Sequence, residues 1–299
     1  MITFFSIPKS FNHHINIIQR NAIKSWMKSV MGCEVILFGD DEGVKEIADE
    51  FGILHVANVS KNEFGTPLLD FVFNQAQKLA TFEIVCYINC DILLLKDFFE
   101  AVNKIKLKKY LMVGRRWDID ISELIDFEDI EWEKYIHATL KDCGVLHPHS
   151  GIDYFVFQKG MFSNFLPFAV GRPGWDNWLV YQARFQRIPV VDATSSTITV
   201  HQNHNYAHSN GGKNTIFKGP EAILNRKLAG GYDYSFNIFD ATHIIVTNKL
   251  KRALGIWHLW RYFNKLPFLI YLPPLIKPLI IKLCRTSQKL WIFCRTFST

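Results

Sequence analysis

Short apolar runs alternate with amphipathic stretches through the first half of the chain. Residues Ile2 to Ile7 predict a strand closed by Pro8. Asn12 then offers a cap to a helix whose apolar positions Ile15, Ile18, Ala22 and Trp26 recur at helical spacing. Glu34 to Phe38 predicts a second strand ending at Gly39-Asp40-Asp41, a helix follows over about 42–51, and Leu54 to Val59 predicts a third strand. Thr66 and Pro67 predict the next helix start as N-cap and first helical residue, with Leu69, Val72, Ala76 and Leu79 as its apolar stripe. Glu83 to Ile88 predicts a fourth strand running into Asn89-Cys90-Asp91, and Tyr110 to Gly114 a fifth.

Such alternation, with near-continuous apolar strands, predicts a mostly parallel sheet covered on both faces. Ligands of these sheets sit beyond the carboxyl ends of the strands. That edge collects Pro8, Asp40, Asp41, Asn89, Asp91, Arg115 and Arg116. Residues 118–148 are acidic and less regular, which predicts an insertion or lid. Further strands are expected at Gly151 to Phe157, Val190-Val191 and Ile198 to His201. A helix is expected from about Trp175 to Phe185, and a polar loop over 202–221.

Composition adds a boundary. With 48% apolar and 21% charged residues in 299, the chain is of ordinary globular make-up, which excludes a disordered or collagen-like protein. The net charge of +6 conceals an asymmetry. No Asp or Glu follows Asp240, and ten of the 34 basic residues lie from Lys249 onward, so residues 1–248 carry 24 basic against 28 acidic groups. A basic tail on an acidic body points to an anionic partner. Within 256–297, the longest uncharged apolar run is Leu266 to Ile276, interrupted by Pro267, Pro273 and Pro274. A spanning helix needs ~20 apolar residues. The segment therefore reads as a peripheral anchor on an anionic membrane surface, the alternative being a helix packed on the body. Nucleic acid is not expected, because the body is acidic and carries no recognition motif. The six cysteines show no CxxC spacing and read as reduced thiols, and no signal peptide is evident, so the expected location is cytoplasmic and peripheral to a membrane.

The chemistry is concentrated in three places. No GxGxxG follows the first strand and no GxxxxGK[ST] occurs, so a phosphate would be held by a divalent cation on carboxylates, helped by basic side chains. Asn89-Cys90-Asp91 puts a carboxylate directly after a buried strand; the bland reading is a turn cap. Gly174-Trp175-Asp176-Asn177-Trp178 sets an acid between two indoles, either a helix-dipole partner or a general base in an acceptor site walled by Trp175 and Trp178. His201-Gln202-Asn203-His204, with His208 nearby, follows a strand and offers imidazole ligands or merely hydrogen-bonded loop residues.

In this order, the motifs resemble the GT-A type nucleotide-diphospho-sugar transferases, glycosyltransferase family 2-like, over residues 1 to about 240. Gly219-Pro220-Glu221-Ala222 with Asn225 and Leu228 resembles a closing motif of a subgroup. The resemblance implies an α/β fold of GT-A-like Rossmann type. A catalytic domain would span 1–248, with a basic, helical C-terminal extension over 249–299. It implies that Asp91 is the last Asp of a DxD motif and that Asn89, which brings no charge, replaces the first. Pro8 and Asp40 would lie near base and ribose, and Lys78 and Arg115 would contact phosphate or base. Asp91 with His201 or His204 would hold Mn²⁺ or Mg²⁺, and Asp176 would be the base. The implied activity moves a sugar from a nucleotide-diphosphate donor to an acceptor, and a membrane-seated tail would fit a glycan or lipid-linked acceptor, as in surface polysaccharide assembly. The alternatives are a non-catalytic scaffold of the same fold and a nucleotidyltransferase or sugar-nucleotide hydrolase.

Overall fold

The computed structural model describes residues 1–29, 32–204, 212–247, 249–273, 275–276, 278–284 and 286. In chain order the strands and helices are β1 (Thr3–Ser6), α1 (His13–Ser29), β2 (Glu34–Phe38), α2 (Val44–Phe51), β3 (Leu54–Val56), α3 (Leu69–Leu79), β4 (Ile84–Ile88), β5 (Ile92–Leu94), α4 (Lys96–Lys104), β6 (Leu111–Val113) and β7 (Trp117–Ile119). There follow α5 (Trp132–Cys143), β8 (Val145–Leu146), β9 (Tyr154–Gln158), α6 (Trp175–Phe185), β10 (Val190–Asp192), β11 (Thr199–Gln202), α7 (Gly212–Lys218), α8 (Pro220–Leu228), β12 (His243–Val246), β13 (Lys249–Arg252) and α9 (Ile256–Leu269).

Nine strands form one sheet in the order β13-β12-β10-β6-β9-β4-β1-β2-β3. All pairs are parallel except those made by β9 and β13. The mostly parallel sheet read from the sequence is therefore present. Neighbouring residues of β1 show why the central strands of the sheet are mostly apolar. Phe5 packs with Phe73 of α3 and Tyr87, whereas Phe4 packs with Trp26 of α1 and Phe98 of α4. Successive side chains of a strand point to opposite faces, and here both faces are covered by helices. A second sheet, β5-β11-β7-β8, lies beyond the end of β4. It has its own small core of Leu93, Leu95, Ile119, Phe127, Trp132, Ile136, Leu140 and Val200.

Three local readings need correction. Thr66 does not cap α3, which starts at Leu69 with Leu68 before it and no side-chain cap. Asn62 Oδ1 accepts from the backbone N–H of Phe64 and Thr66 instead, closing a turn at 62–66. Leu68 is held extended by a bridge to Ala169. The acidic segment 118–148 is more regular than its composition suggests. Trp132, Ile136 and Leu140, spaced by four, bury one face of α5. The second half of the polar stretch 202–221 is helical, α7 and α8 meeting at Gly219 with Pro220 as first residue of α8. His208 lies outside the described residues.

The motif at 219–225 closes the fold. Glu221, buried, accepts from Arg172 Nη2 at 2.6 Å and from Asn62 Nδ2 at 2.7 Å. Asn225 exchanges two bonds of 3.0 Å with the backbone of Ala169. These contacts tie the loop before α3 and the loop before α6 to one helix. The basic segment begins inside the main sheet, since β13 pairs with β12. α9 packs on the turns at 232–240, where Arg261 pairs with buried Asp240 and Lys265 Nζ donates to Asp233 O at 2.6 Å. Among the described residues, no helix is long and apolar enough to cross a membrane.

Candidate active site

Asp91 sits in the link between the two sheets. Asn89 N donates to Asp153 O at 3.0 Å and Ile92 N to Asn89 O at 3.1 Å, so the chain turns tightly past the end of β4. β5 then pairs antiparallel with β11, which sets His201 opposite Ile92. Gln202, fully buried, locks this corner. Its backbone N–H donates to Asp91 O at 3.1 Å, and its side chain donates to Ile18 O at 2.7 Å.

The result is a convergent cluster. Asp91 Oδ2 lies 3.1 Å from His204 Nε2 and 3.9 Å from His201 Nε2. Lys9 Nζ approaches the same corner, 3.1 Å from His204 Nε2 and 4.0 Å from Asp91 Oδ2. Burial by itself would raise the Asp91 pKa; His201, His204 and Lys9 outweigh it and hold the carboxyl well below the usual carboxylate range. For Lys9 burial wins over the attraction of Asp91 and the ammonium pKa is lowered.

A second carboxylate stands behind the first. Asp118 of β7 is the register partner of His201. Asp118 Oδ1 lies 3.1 Å from His201 Nδ1, and Oδ2 lies 2.6 Å from His147 Nδ1. Arg116 donates through Nε to Asp118 at 2.9 Å and pairs through Nη1 with Asp153, whose other oxygen accepts from Asn89 Nδ2 at 2.7 Å. Burial pushes the Asp118 pKa up, but the two histidines and Arg116 more than reverse this. Asn89, Asp153, Arg116, Asp118, His201 and Asp91 thus form a continuous polar chain.

Asp176 opens α6, which begins and ends where the apolar pattern places it. Gly174 before it has φ of +112°, a backbone state that L side chains rarely adopt. Burial, with the charge of Asp153 adding to it, pushes the Asp176 pKa up to about 6 despite backbone N–H donors that oppose the shift. The two acids therefore sit on opposite sides of the ordinary carboxylate value, Asp91 below and Asp176 above.

The other expected site residues separate into two groups. Pro8, Asp40, Asn89 and Arg115 lie at the carboxyl edge of the main sheet, just past β1, β2, β4 and β6. Asp40 is exposed and bonded by Lys61 at 2.6 Å, and Arg115 Nε donates to His147 O at 2.7 Å. The structure does not bring Lys78 to that edge. It is exposed at the end of α3, which leads into the start of β4, so it sits at the opposite edge. Nor do Trp175 and Trp178 wall an open site: each is only 6% exposed. Trp175 packs on Tyr87 with centroids 5.0 Å apart, and Trp178 on Phe168 at 5.1 Å.

Sequence reasoning passed over Lys9, Asp118, His147 and Asp153. One signal was available: Arg116 and Asp118 are two apart in an extended stretch, and so share a face.

A divalent cation fits the cluster. Ligand atoms of Asp91, His201 and His204 all lie within 4.8 Å of one another. Asp91 Oδ1 is buried with no hydrogen-bond partner among the described residues. A buried carboxylate oxygen without a donor is costly unless something positive meets it. One carboxylate and two imidazoles make a donor set suited to Mn²⁺ more than to Mg²⁺, which prefers oxygen.

No family model matches the sequence, and no curated protein matches it. Solved structures with a similar course do exist. TarS of S. aureus in complex with UDP-GlcNAc is 16% identical over 70% of this chain and 61% of that one, with a TM-score of 0.43. Mannosyltransferase PcManGT from Pyrobaculum calidifontis, in complex with GDP-Man and Mn²⁺, is 13% identical over 93% and 67%, with a TM-score of 0.44. Glucosyl-3-phosphoglycerate synthase from Mycobacterium tuberculosis, in complex with Mn²⁺, UDP and phosphoglyceric acid, is 16% identical over 77% and 79%, also at 0.44. This chain spans 36% of the TarS structure with UDP. The architecture itself, a mostly parallel sheet flanked by helices, stands on the strand order of the chain. At these identities the likenesses assign no activity to this chain.

Proposed function

We propose that this protein transfers a glycosyl group from a nucleotide-diphosphate sugar to a hydroxyl acceptor, with Asp91, His201 and His204 holding a divalent cation, Mn²⁺ by preference. The observation that carries the reading is the Asp91 corner: a buried, ionised carboxylate beyond the end of β4, with one oxygen lacking a donor among the described residues and two imidazoles within reach. When bound, such a cation neutralises the charge that gathers on a leaving diphosphate.

The chain's own residues supply the rest. Pro8, Asp40, Asn89 and Arg115 lie at the edge where a nucleotide binds in sheets of this kind, and we assign the donor to them. Asp176, with its pKa near 6, is ionised at neutral pH yet basic enough to take a proton. In a single displacement, the acceptor oxygen forms the new bond to the anomeric carbon as its proton passes to Asp176. The bond from that carbon to the phosphate oxygen breaks, and its electron pair leaves with the diphosphate.

The basic C-terminal segment supports a second element of the proposal, a peripheral seat on anionic lipid, which would suit a glycan or lipid-linked acceptor. α9 keeps Ile256 and Phe263 exposed at 76% and 64% along one stripe with Leu259.

The test is thermal-shift titration of the wild type and Asp91→Asn with UDP, GDP, TDP and CMP and their sugars, with and without Mn²⁺. A Mn²⁺-dependent shift for one diphosphate, absent from the variant, is expected. An Asp91→Asn protein that keeps full transfer activity would overturn the assignment.

A further inference from the structure

Lys9 is placed with more care than a surface lysine needs. Gln19, 2% exposed, grips its backbone at both polar groups: Lys9 N donates to Gln19 Oε1 at 2.7 Å, and Gln19 Nε2 donates to Lys9 O at 2.8 Å. The root of the side chain is thereby fixed just past β1, and its ammonium reaches the Asp91–His204 corner. His204 Nε2 is one of the three atoms that could ligate a cation, and Lys9 Nζ lies within hydrogen-bond distance of it. Two positive groups cannot share one carboxylate oxygen and one imidazole lone pair at these distances.

We propose that Lys9 is a built-in counter-cation for Asp91, competing with a divalent ion for the Asp91–His204 corner. The proposal rests on the metal reading above and refines it. Without an ion, the ammonium adds its charge to that of the two histidines beside the buried carboxylate. When an ion enters, the ammonium gives way, because only the free end of the side chain can move while Gln19 holds the backbone. The displaced charge remains at the carboxyl edge of the sheet, where an anionic diphosphate would arrive. Lys9 thus sets a threshold: the bare ion binds weakly, and it binds well only together with an anion that gives Lys9 a new partner.

The test is Mn²⁺ binding to the full chain without nucleotide, followed by the electron paramagnetic resonance signal of free Mn²⁺. Lys9→Met keeps the stem and removes the charge; Lys9→Arg keeps the charge. Lys9→Met is expected to bind Mn²⁺ about tenfold more tightly than the wild type, because one unit of positive charge leaves the corner. Lys9→Arg is expected to stay at or below the wild-type affinity. A Lys9→Met protein that binds no more tightly than the wild type overturns the proposal. Asp91→Asn separates this from a failure of the metal reading: if that variant binds Mn²⁺ as the wild type does, the site itself is misassigned. Thermal melting of each variant without metal checks that all are folded.

Discussion

Asp118 and His201 are register partners across β7 and β11, and Asp118 Oδ1 lies 3.1 Å from Nδ1 of the ring whose Nε2 faces Asp91. A carboxylate behind an imidazole fixes the ring and keeps the proton on the rear nitrogen, leaving the front one as a ligand. The first prediction follows from this relay. Asp118→Asn should reduce Mn²⁺ affinity by about 10- to 100-fold, as loss of such outer partners generally does. Calorimetric titration with Mn²⁺ reads it directly. Unchanged affinity in a folded Asp118→Asn protein would leave Asp118 a purely structural hub for His147 and Arg116.

Asp176 makes a prediction about pH. Its folded-state pKa of about 6 lies above the unfolded value, so folding favours the protonated form. Stability from this group is therefore fully present below the unfolded pKa and is lost as pH rises through about 6. Asp176→Asn should therefore melt no lower than the wild type at pH 7, and should lose the wild type's gain on acidification. Transfer should behave oppositely. The base is active only when ionised, so kcat/KM should fall on the acid side with an apparent pKa near 6, and Asp176→Asn should be slower by about 10²- to 10⁴-fold. A variant that transfers sugar at the wild-type rate would assign Asp176 to the start of α6 and nothing more.

The two tryptophans separate a packing role from a binding role. Trp175 and Trp178 sit in the aromatic layer between the main sheet and α6, against Tyr87, Phe155, Phe165 and Phe168. Trp175→Ala should cost about 3–5 kcal/mol of stability, the range for emptying a large buried aromatic site. Chemical denaturation measures this. A small cost accompanied by a raised acceptor KM would restore the reading of Trp175 as an acceptor wall.

Much of this fold is written in local pattern. The central strands of the main sheet are apolar on both faces, so β2 and β4 stand out as unbroken runs. Asp91, His201 and His204 were legible because each sits in a short polar motif at a strand end. Asp118 was not, because its importance arises from the β7–β11 register, a pairing between residues far apart in sequence. Asp153 likewise gains its role only because antiparallel β9 runs beside β4 and brings it to Asn89. Lys9 reads as an ordinary polar residue after a strand until Gln19, one helical face away, is seen to hold it. Thr66 failed as a cap because the chain stays extended past it, Pro67 bridging to Lys61 and Leu68 to Ala169, long-range pairings that N-cap preference alone cannot foresee.

The membrane proposal is narrowed by which cations the fold has already engaged. Arg261 is paired with Asp240, and Lys265 is bonded to the carbonyl of Asp233 beside the ring of Phe236. Neither is presented to a lipid surface. Among the described residues of the segment, the exposed charge lies instead on β13, at Lys249, Lys251 and Arg252, and at Lys282. The apolar contribution falls to the exposed stripe of α9. Binding to phosphatidylserine vesicles should therefore need both surfaces. Phe263→Ser with Leu259→Ser should weaken it by at least about tenfold, since burying each such side chain is worth roughly 1.5–3 kcal/mol. Lys249→Gln with Lys251→Gln should weaken it by a similar factor at low salt and by little at high salt, because each surface cation contributes about 1 kcal/mol that screening removes. Arg261→Gln should instead lower the melting temperature, since it strands Asp240 in the fold. Co-sedimentation of the full chain with anionic and with neutral vesicles decides the matter. Equal sedimentation with both kinds would remove the electrostatic half of the proposal, and none with either would remove the whole.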